Sequence, residues 1–483
     1  MEESAGAQIS QRAFIQSIVL LLILMITAGV LTRVIPPGAY AHITQNGVQT
    51  IDPGSFHLVP RPDYPIWRWF TAPFEVLADP DGLTIITIII FLMMVGGAFA
   101  VLDKTGILNV AINVLVRRFG GRKYVLLLLI TFFFMLIGAF FGIFEEVVPL
   151  VPVMIALAYS LGWDSLVGLG MSILATNMGF SAAVTNPFTI GVAQKIAGLP
   201  LFSGAPFRIL IFLAVYAVTA VFLLRYARRL DQNPANSPIY AEDAAGRARY
   251  QGVRFDDKAG AGLRMNRVLI WLGGFLALIL AVLIASPFVA FLSSYSLPIV
   301  GLLFFIGGAG AGWIGGCPGG TVGRAMRDGL TGIAPAIPLI LMASSIKYIV
   351  SAGGILDTIL HSASGVISQA SPVAAALLVY ALALVIELFV ASGSAKAFLL
   401  IPILVPLADL VGVTRQVTVT AYCFGDGFSN LAYPTNPVLL VCLGLTVVSY
   451  GRWIRWTAKL WAWVLLVTVA FLGLAVAIHY GPF

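Results

Sequence analysis

Long apolar runs recur along this chain of 483 residues, and many of them contain no charged side chain. A helix needs roughly 20 consecutive apolar residues to cross the hydrocarbon core of a bilayer. Only 10% of the residues are charged, whereas soluble domains carry about 25%. The sequence therefore predicts an all-α polytopic protein embedded in a lipid bilayer.

We predict a set of complete spans and two re-entrant hairpins, each hairpin with a polar interruption near its middle. The predicted spans are 13–34, 83–102, 165–197, 205–226, 267–291, 296–316, 330–350, 416–449 and 457–479. The predicted hairpins are 124–161 and 372–411. Residues 105–118 and 353–370 are typical of amphipathic helices at the membrane surface.

The tripeptide Thr-Asn-Pro occurs twice, as Thr185-Asn186-Pro187 and Thr435-Asn436-Pro437, at an offset of 250 positions. The same offset relates Pro152 to Pro402 and Gly162 to Gly412. Proline-broken backbone at membrane depth is costly unless it lines a cavity, and paired interruptions in two halves indicate a transporter's substrate site. We interpret 165–197 and 416–449 as broken helices in a duplicated fold.

The basic residues fall into four groups, and such groups mark the cytoplasmic side of a membrane protein. One alternation of spans places all four inside, with the N-terminus cytoplasmic and the C-terminus outside, and makes the two repeats inverted in topology. The groups are Arg117, Arg118, Arg122 and Lys123; Arg225, Arg228, Arg229, Arg247, Arg249, Arg254, Lys258, Arg264 and Arg267; Arg324 and Arg327; and Arg452, Arg455 and Lys459. The net charge of +7 is thus no signal for nucleic acid.

These features divide the chain into a first span with a β-rich exterior cap, two repeats, and the segments around them. The cap is predicted from Asn46-Gly47 and Asp52-Pro53-Gly54, which are typical of turns. The parts are 1–75 (span and cap), 76–204 (first repeat), 205–226 (span), 227–266 (cytoplasmic linker), 267–323 (scaffold spans), 324–450 (second repeat) and 451–483 (last span).

The two broken helices supply the first set of candidate site residues. A proline frees a backbone carbonyl, and the half-helix that follows favours a carboxylate at its N-terminus. The substrate-binding candidates here are Ser181, Thr185, Asn186, Thr189, Ser429, Asn430, Tyr433, Thr435 and Asn436. The candidates for coupling to a cation, Na⁺ or H⁺, are Thr185, Asn186, Asp426, Thr435 and Asn436. The alternative is that both prolines are only structural kinks.

The hairpin interruptions supply the second set. Ionised groups cost about 2.5–3.5 kcal/mol each at the bilayer centre, so they need a partner or a wet cavity. The candidates are Glu145, Glu146, Ser392, Gly393, Ser394 and Lys396, and Lys396 aligns with Glu146 at the same offset. A solvated loop or a structural ion pair is the alternative. Glu387 and Lys347 are further isolated charges.

Other kinds of site find no support in the sequence. The four histidines have no metal-ligand spacing and none pairs with a serine as a catalytic base, so neither a cofactor nor an enzyme is predicted. The glycine run 307–312 lies within a span, where small residues serve close helix packing.

Several motifs resemble those of the YfcC family, which is related to the anaerobic C4-dicarboxylate carriers of the DcuC type in the ion transporter superfamily. The motifs are Glu145-Glu146-x-x-Pro149, 186–194 with 197–200, Ser392-Gly393-Ser394, 424–430 and 35–40. The resemblance implies a multi-pass protein of a bacterial-type inner membrane, whose transport domain moves like an elevator against a scaffold that forms a homodimer. This chain departs from the pattern at Lys396, where a small or amide residue is usual, and at Asn436-Pro437, where Ser-Gly is commoner.

Together these features predict an ion-coupled secondary transporter of a small carboxylate-bearing solute. Hydroxyl and amide groups, half-helix ends and a lysine suit a carboxylate, while the surplus acids suit a coupling cation or a substrate ammonium. That balance favours an amino acid over a C4-dicarboxylate, and the resemblance implies that a basic amino acid is among the candidates. The alternative is a Na⁺/H⁺ antiporter without an organic substrate.

Overall fold

The computed structural model describes residues 11–45, 48–80, 82–108, 110, 122–251 and 263–481, and these are mostly helical. Ten helical segments in this part of the chain are long and apolar enough to cross a membrane. The protein is therefore a multi-pass membrane protein, as its apolar runs predict.

The helices of the first half include one long broken helix. They are α1 (Gln11–Val34), α2 (Arg68–Glu75), α3 (Gly82–Lys104), α4 (Lys123–Phe141), α5 (Val151–Ser160), α6 (165–182), α7 (187–196) and α8 (Ala205–Gln232). In α6 the π-helical turn Gly170–Leu174 separates Ser165–Leu169 from Ala175–Ala182. In α7 the π-helical turn Pro187–Gly191 precedes Val192–Ile196.

The segment that joins the halves contains α9 (Ala244–Gln251), and the second half follows it. The helices from there on are α10 (Leu263–Ala285), α11 (Ala290–Ile314), α12 (Gly319–Ile333), α13 (Ala336–Ala352), α14 (Leu356–Ile367), α15 (Pro372–Glu387), α16 (Gly393–Leu410), α17 (Arg415–Ser429), α18 (Pro437–Gly444) and α19 (Tyr450–Ala477). The helices α8 and α19 each have 28 residues and follow the half-helices α7 and α18.

Each predicted hairpin folds as two helices joined at its polar interruption. The first segment forms α4 and α5, which are joined by residues 142–150, and the second forms α15 and α16, which are joined by residues 388–392. We call these two interruptions the first tip and the second tip. The 19-residue α4 has the length of a complete span by itself.

The predicted cap contains two small antiparallel sheets. Strand β1 (Gly38–Ala39) pairs with β4 (His57–Leu58), and β2 (His42–Gln45) pairs with β3 (Val48–Ile51). The register of β2 and β3 leaves a two-residue connection, although Asn46 and Gly47 themselves lie outside the described residues. Asp52 closes the predicted turn by accepting from the N–H of Gly54 at 3.1 Å.

The end of the predicted cap is helical rather than extended. Residues 68–75 form α2 because Trp69 and Ala72, three positions apart, share one buried face. The Trp69 ring fills the space beside Gly29 of α1. Of the two predicted surface helices, 353–370 contains α14, whereas most of 105–118 lies outside the described residues.

The core is built around the first parts of the two broken helices, α6 and α17, which pack against each other. Every residue in 165–182 is buried, and so is every residue from Gln416 to Ser429. Glycines allow the close approach: a Cβ on Gly179 would lie 1.8 Å from the Met135 carbonyl of α4, and one on Gly427 would lie 2.5 Å from Ser181 Cα.

Candidate functional site

The repeated Thr-Asn-Pro tripeptide forms the start of each half-helix. Asn186 Oδ1 accepts from the backbone N–H of Phe188 at 2.9 Å and of Thr189 at 3.3 Å. Asn436 Oδ1 accepts from the N–H of Val438 at 3.0 Å. Each asparagine is thus an N-cap, and the proline after it occupies the first helical position, where no N–H is needed.

The carbonyls left free before each half-helix are bound by side chains of the next long helix. Arg208 of α8 donates to the Val184 carbonyl through Nε at 3.1 Å and Nη2 at 2.9 Å. In the second half, Trp453 Nε1 and the Tyr450 hydroxyl of α19 donate to the carbonyls of Leu431 and Ala432. These contacts stabilise the unwound backbone, which would otherwise carry unpaired carbonyls in an apolar environment.

Arg208 is a site residue that the sequence reasoning missed. It is only 1% exposed and also donates to the Ser203 carbonyl at 2.7 Å. The sequence does contain an indication of Arg208, because it is an isolated charge near the start of a predicted span. Such charges are functional candidates by default.

A cavity of about 370 Å³ lies where the two tips and the two half-helices meet. Both halves of the chain contribute to its wall, as the duplicated motifs suggest. The candidate residues from the sequence that line it are Glu145, Glu146, Thr189, Ser392, Gly393, Ser394, Asn430, Thr435 and Asn436.

The other candidates lie behind this wall. Their polar groups largely have partners: Thr185 Oγ1 donates to the Phe140 carbonyl at 2.9 Å, and Ser181 Oγ donates to Asn177 at 2.7 Å. Asn186 packs against the cavity wall from outside. Gly142 lines the cavity, and a Cβ added to this glycine would lie only 2.2 Å from Asn186 Oδ1. The candidates placed behind the wall are Ser181, Thr185, Asn186, Lys396, Asp426, Ser429 and Tyr433.

The opposite wall of the cavity comes from α11, α13 and the region around the start of α3. Ser296 of α11 donates to Glu146 Oε1 at 3.3 Å and so joins the first tip to this wall. Asp79 and Lys347 also line it. Lys347 was a candidate from the sequence, whereas Asp79 and Ser296 carry no local signal, since only the fold brings them to the tips.

Three helices direct their N-termini toward the cavity. The first residues of α7, α16 and α18, represented by Phe188, Gly393 and Pro437, all line it. A helix N-terminus carries a partial positive charge, which attracts anions even where the first N–H groups are capped. The acidic side chains Glu145 and Glu146 face the same space, so the cavity offers both anion- and cation-attracting groups.

Lys396 lies in a buried charge cluster with Glu387 and Asp426. Its Nζ contacts the Glu387 carboxylate and is 2.8 Å from Asp426 Oδ1, and all three side chains are at most 1% exposed. The cluster adjoins the cavity, because a Cβ on the lining residue Gly393 would lie 2.9 Å from Asp426 Oδ2. We call Glu387, Lys396 and Asp426 the charge cluster.

In the described part of the chain, no group of three or more His, Cys, Asp or Glu residues is arranged to hold a metal ion. The oxygen atoms of Asn186 and Asn436 are engaged as helix caps. Among the described residues, Thr435 Oγ1 is buried without a hydrogen-bond partner and is available to a ligand.

Comparison with known proteins gives a consistent set of matches. Residues 14–477 match the family model DcuC, described as C4-dicarboxylate anaerobic carrier. An Escherichia coli (strain K12) protein described as "Putative basic amino acid antiporter YfcC" is 32% identical over 441 residues, which cover 85% of this chain and 85% of that protein. A Haemophilus influenzae protein described as uncharacterized is 25% identical over 397 residues, 82% of this chain and 76% of that one.

Two solved transporter structures can also be superimposed over most of the chain. The Alcanivorax borkumensis YdaH transporter has a TM-score of 0.43 and 19% identity, with coverage of 97% of this chain and 99% of that one. Neisseria gonorrhoeae MtrF, described as representing a class of antimetabolite efflux pumps, has a TM-score of 0.45 and 16% identity, with 94% of each chain covered.

Proposed function

This chain belongs to the DcuC family of C4-dicarboxylate anaerobic carriers, and from that membership we infer that it is an ion-coupled secondary transporter of a small carboxylate-bearing solute. The observation that carries this proposal is the cavity of about 370 Å³ between the tips and the half-helices. Its volume lies within the roughly 300–1,000 Å³ typical of small-molecule sites. Three helix N-termini supply the attraction for a carboxylate there.

We propose an amino acid as the preferred substrate. A dicarboxylate would place its second anionic group near Glu145, Glu146 and Asp79, and like charges in a confined site repel. An amino acid instead offers its carboxylate to the helix N-termini and its ammonium to these acids. The description of the E. coli relative as an antiporter of basic amino acids agrees with this charge pattern, whereas the name of the family favours a dicarboxylate.

The coupling ion that fits best is a proton. Two carboxylates and one ammonium give the charge cluster a formal charge of −1. A metal cation needs several oxygen ligands around an open position, and here the ammonium of Lys396 already occupies the space between Glu387 and Asp426. A proton needs no such space, so protonation of one carboxylate would neutralise the cluster.

Movement of the site across the membrane is proposed to follow the family's elevator mechanism. Two features support this proposal: a hairpin and then a broken helix occur in the same order in both halves, as α4–α7 and α15–α18, and the four basic groups predict opposite directions across the bilayer with the N-terminus inside. Inverted repeats of this kind exchange roles in alternating access. The tips and broken helices would move together against α3, α11 and α13 in each subunit of a homodimer.

The test uses purified protein in liposomes. Uptake of labelled arginine, lysine, glutamate, fumarate and succinate is measured with an inward proton gradient, with an inward Na⁺ gradient and with neither. We expect amino acid uptake that depends on the proton gradient. Preferred uptake of fumarate and succinate would refute the amino acid assignment, and dependence on Na⁺ would refute proton coupling.

A single substitution tests whether the cavity binds the substrate without changing the stability of the fold. Glu146→Gln keeps the size of the side chain but removes one charge from the cavity, so uptake of a basic amino acid should fall while thermal unfolding stays near that of the wild type. If none of the solutes is carried and Na⁺ alone drives proton efflux, the protein is a Na⁺/H⁺ antiporter without an organic substrate.

A further inference from the structure

A second cavity, of about 790 Å³, lies between the C-terminal part of α8 and the N-terminal part of α19, away from the site described above. Five cationic side chains line it: Arg225, Arg229, Arg452, Arg455 and Lys459. They belong to two of the basic groups defined from the sequence, which the fold brings together. No part of the proposed transport mechanism uses them.

The positive charge of this pocket is only partly balanced by the protein. Arg452 pairs with Glu242 at 2.5 Å. Within the described residues, the other four cations of the pocket are in no ion pair, and the nearby carboxylate of Asp231 is bound by Lys123 at 2.5 Å and by Tyr124. A pocket with several unbalanced cations favours an anionic ligand.

The polarity of the pocket changes along the helices in the way that a phospholipid requires. On α8 the lining residues Val218 and Val221 precede Arg225 and Arg229 toward the helix end. On the antiparallel α19 the basic residues come first, and the 58%-exposed Trp463 follows them. Both helices therefore place cations at their ends and apolar side chains toward the middle of the span.

From this arrangement we propose that the pocket binds an anionic phospholipid. The phosphate and headgroup contact the arginines at the membrane surface, and an acyl chain lies along Val218, Val221 and Trp463. Basic pockets between membrane helices on the cytoplasmic side suit anionic headgroups. The linker residues Asn236 and Pro238 complete the pocket, so a bound lipid joins the linker to both helices.

The test is native mass spectrometry of the full chain in detergent, with phosphatidylglycerol, phosphatidylcholine or inorganic phosphate added. The variant is Arg225→Gln/Arg455→Gln, and the control is Arg324→Gln/Arg327→Gln, which removes two exposed arginines from another basic group. We expect phosphatidylglycerol to bind the wild type and the control equally and the variant roughly thirtyfold more weakly, because the variant removes two surface cations that each contribute about a fivefold attraction.

Three results would overturn the proposal. Equal binding of phosphatidylcholine and phosphatidylglycerol would show that the pocket does not recognise headgroup charge. An equal loss of phosphatidylglycerol binding in the control would show that the pocket arginines contribute no more than other surface arginines. Displacement of phosphatidylglycerol by inorganic phosphate at millimolar concentration would mean that the pocket binds a soluble anion instead of a lipid. Circular dichroism and thermal unfolding of both variants establish that they are folded.

Discussion

Asn186 and Asn436 each cap a half-helix beside the candidate cavity. Replacement of a capping asparagine by alanine costs about 1 kcal/mol of stability, which a protein of this size tolerates. We expect Asn186→Ala and Asn436→Ala to stay folded but to lose substrate uptake, because the half-helix N-termini lose their fixed position. Uptake into liposomes and thermal unfolding measure the two effects.

Serine at either position is the matched control, because it provides a neutral capping oxygen in place of the asparagine amide. Asn186→Ser should recover part of the uptake that Asn186→Ala loses. Unchanged uptake in both alanine variants would mean that the broken spans are structural kinks only.

The charge cluster makes a different prediction at the scale of single residues. Lys396→Met leaves the carboxylates of Glu387 and Asp426 buried together without a cation. Removal of one partner from a buried ion pair costs roughly 3–5 kcal/mol. We expect this variant to unfold at a clearly lower temperature than the wild type, and its yield after purification should fall.

Neutralisation of all three groups of the charge cluster tests whether charge balance explains this loss of stability. The triple variant Glu387→Gln/Lys396→Met/Asp426→Asn has no buried charge and should recover most of the lost thermal stability. Its uptake should no longer respond to a proton gradient. A triple variant as unstable as Lys396→Met would show that packing, rather than charge balance, explains the loss.

Individual residues were predictable from the sequence where the signal was local. The Thr-Asn-Pro tripeptides combine a capping side chain with a proline, and this combination indicates a helix start wherever it occurs. The role of Lys396 was not predictable in this way. Its alignment with Glu146 suggested a pairing, but the fold pairs it with Glu387 nine positions earlier and Asp426 thirty positions later.

At the scale of elements, the joining segment is bound to the first repeat by buried carboxylates. Asp164, at the start of α6, accepts from the hydroxyls of Tyr226 at 2.5 Å and Ser237 at 2.7 Å. Asp243 accepts from Tyr159 at 2.5 Å and from the N–H of Ser165 at 2.9 Å. The sequence predicted a polar linker, but tertiary contacts decide that it packs against α5 and α6.

These contacts predict a dependence of stability on pH. Burial raises the pKa of Asp164 to about 6, and burial likewise raises the pKa of Asp243. The folded state then binds more protons than the unfolded state between about pH 4, where free aspartate titrates, and about pH 6. The contribution of Asp164 to stability is therefore complete below this range and is lost as the pH rises through it.

Thermal unfolding at pH 5 and pH 8 measures this contribution. The decrease in Tm from pH 5 to pH 8 should be smaller in Asp164→Asn than in the wild type. Asp409→Asn is the control, because that carboxylate is 41% exposed and paired with Arg415. The same decrease in all three proteins would refute the assignment to Asp164.

At the scale of the whole molecule, sequence patterns predicted where most of the long helices lie along the chain. They did not predict which helices contact each other. Periodicity and charge act within one span, so they predicted the long helices and the order of the repeats. The opposite wall of the cavity depends on contacts between distant segments. Ser296 meets Glu146 across 150 positions, and the neighbouring sequence of neither residue indicates the other.

That contact offers a test of the proposed elevator movement. If the tips move against α11 during transport, a covalent link between Glu146 and Ser296 should hold the protein in one state. The experiment replaces both by cysteine in a variant without Cys317, Cys423 and Cys442, and treats it with a short methanethiosulfonate cross-linker. Because the cysteine at position 146 removes a charge from the cavity and itself lowers uptake, the reduced double-cysteine variant is the reference. Cross-linking should stop the uptake of this variant, and reduction of the link should restore it.

The control links Lys104 of α3 to Asp328 of α12, whose charged groups are 3.0 Å apart. Both helices pack closely through Gly96 and Gly329, so they should move as one body. This second link should leave uptake unchanged because no movement crosses it. Full uptake with the first link in place would mean that the tips and α11 stay together throughout the cycle, and the moving boundary would then have to lie elsewhere in the molecule.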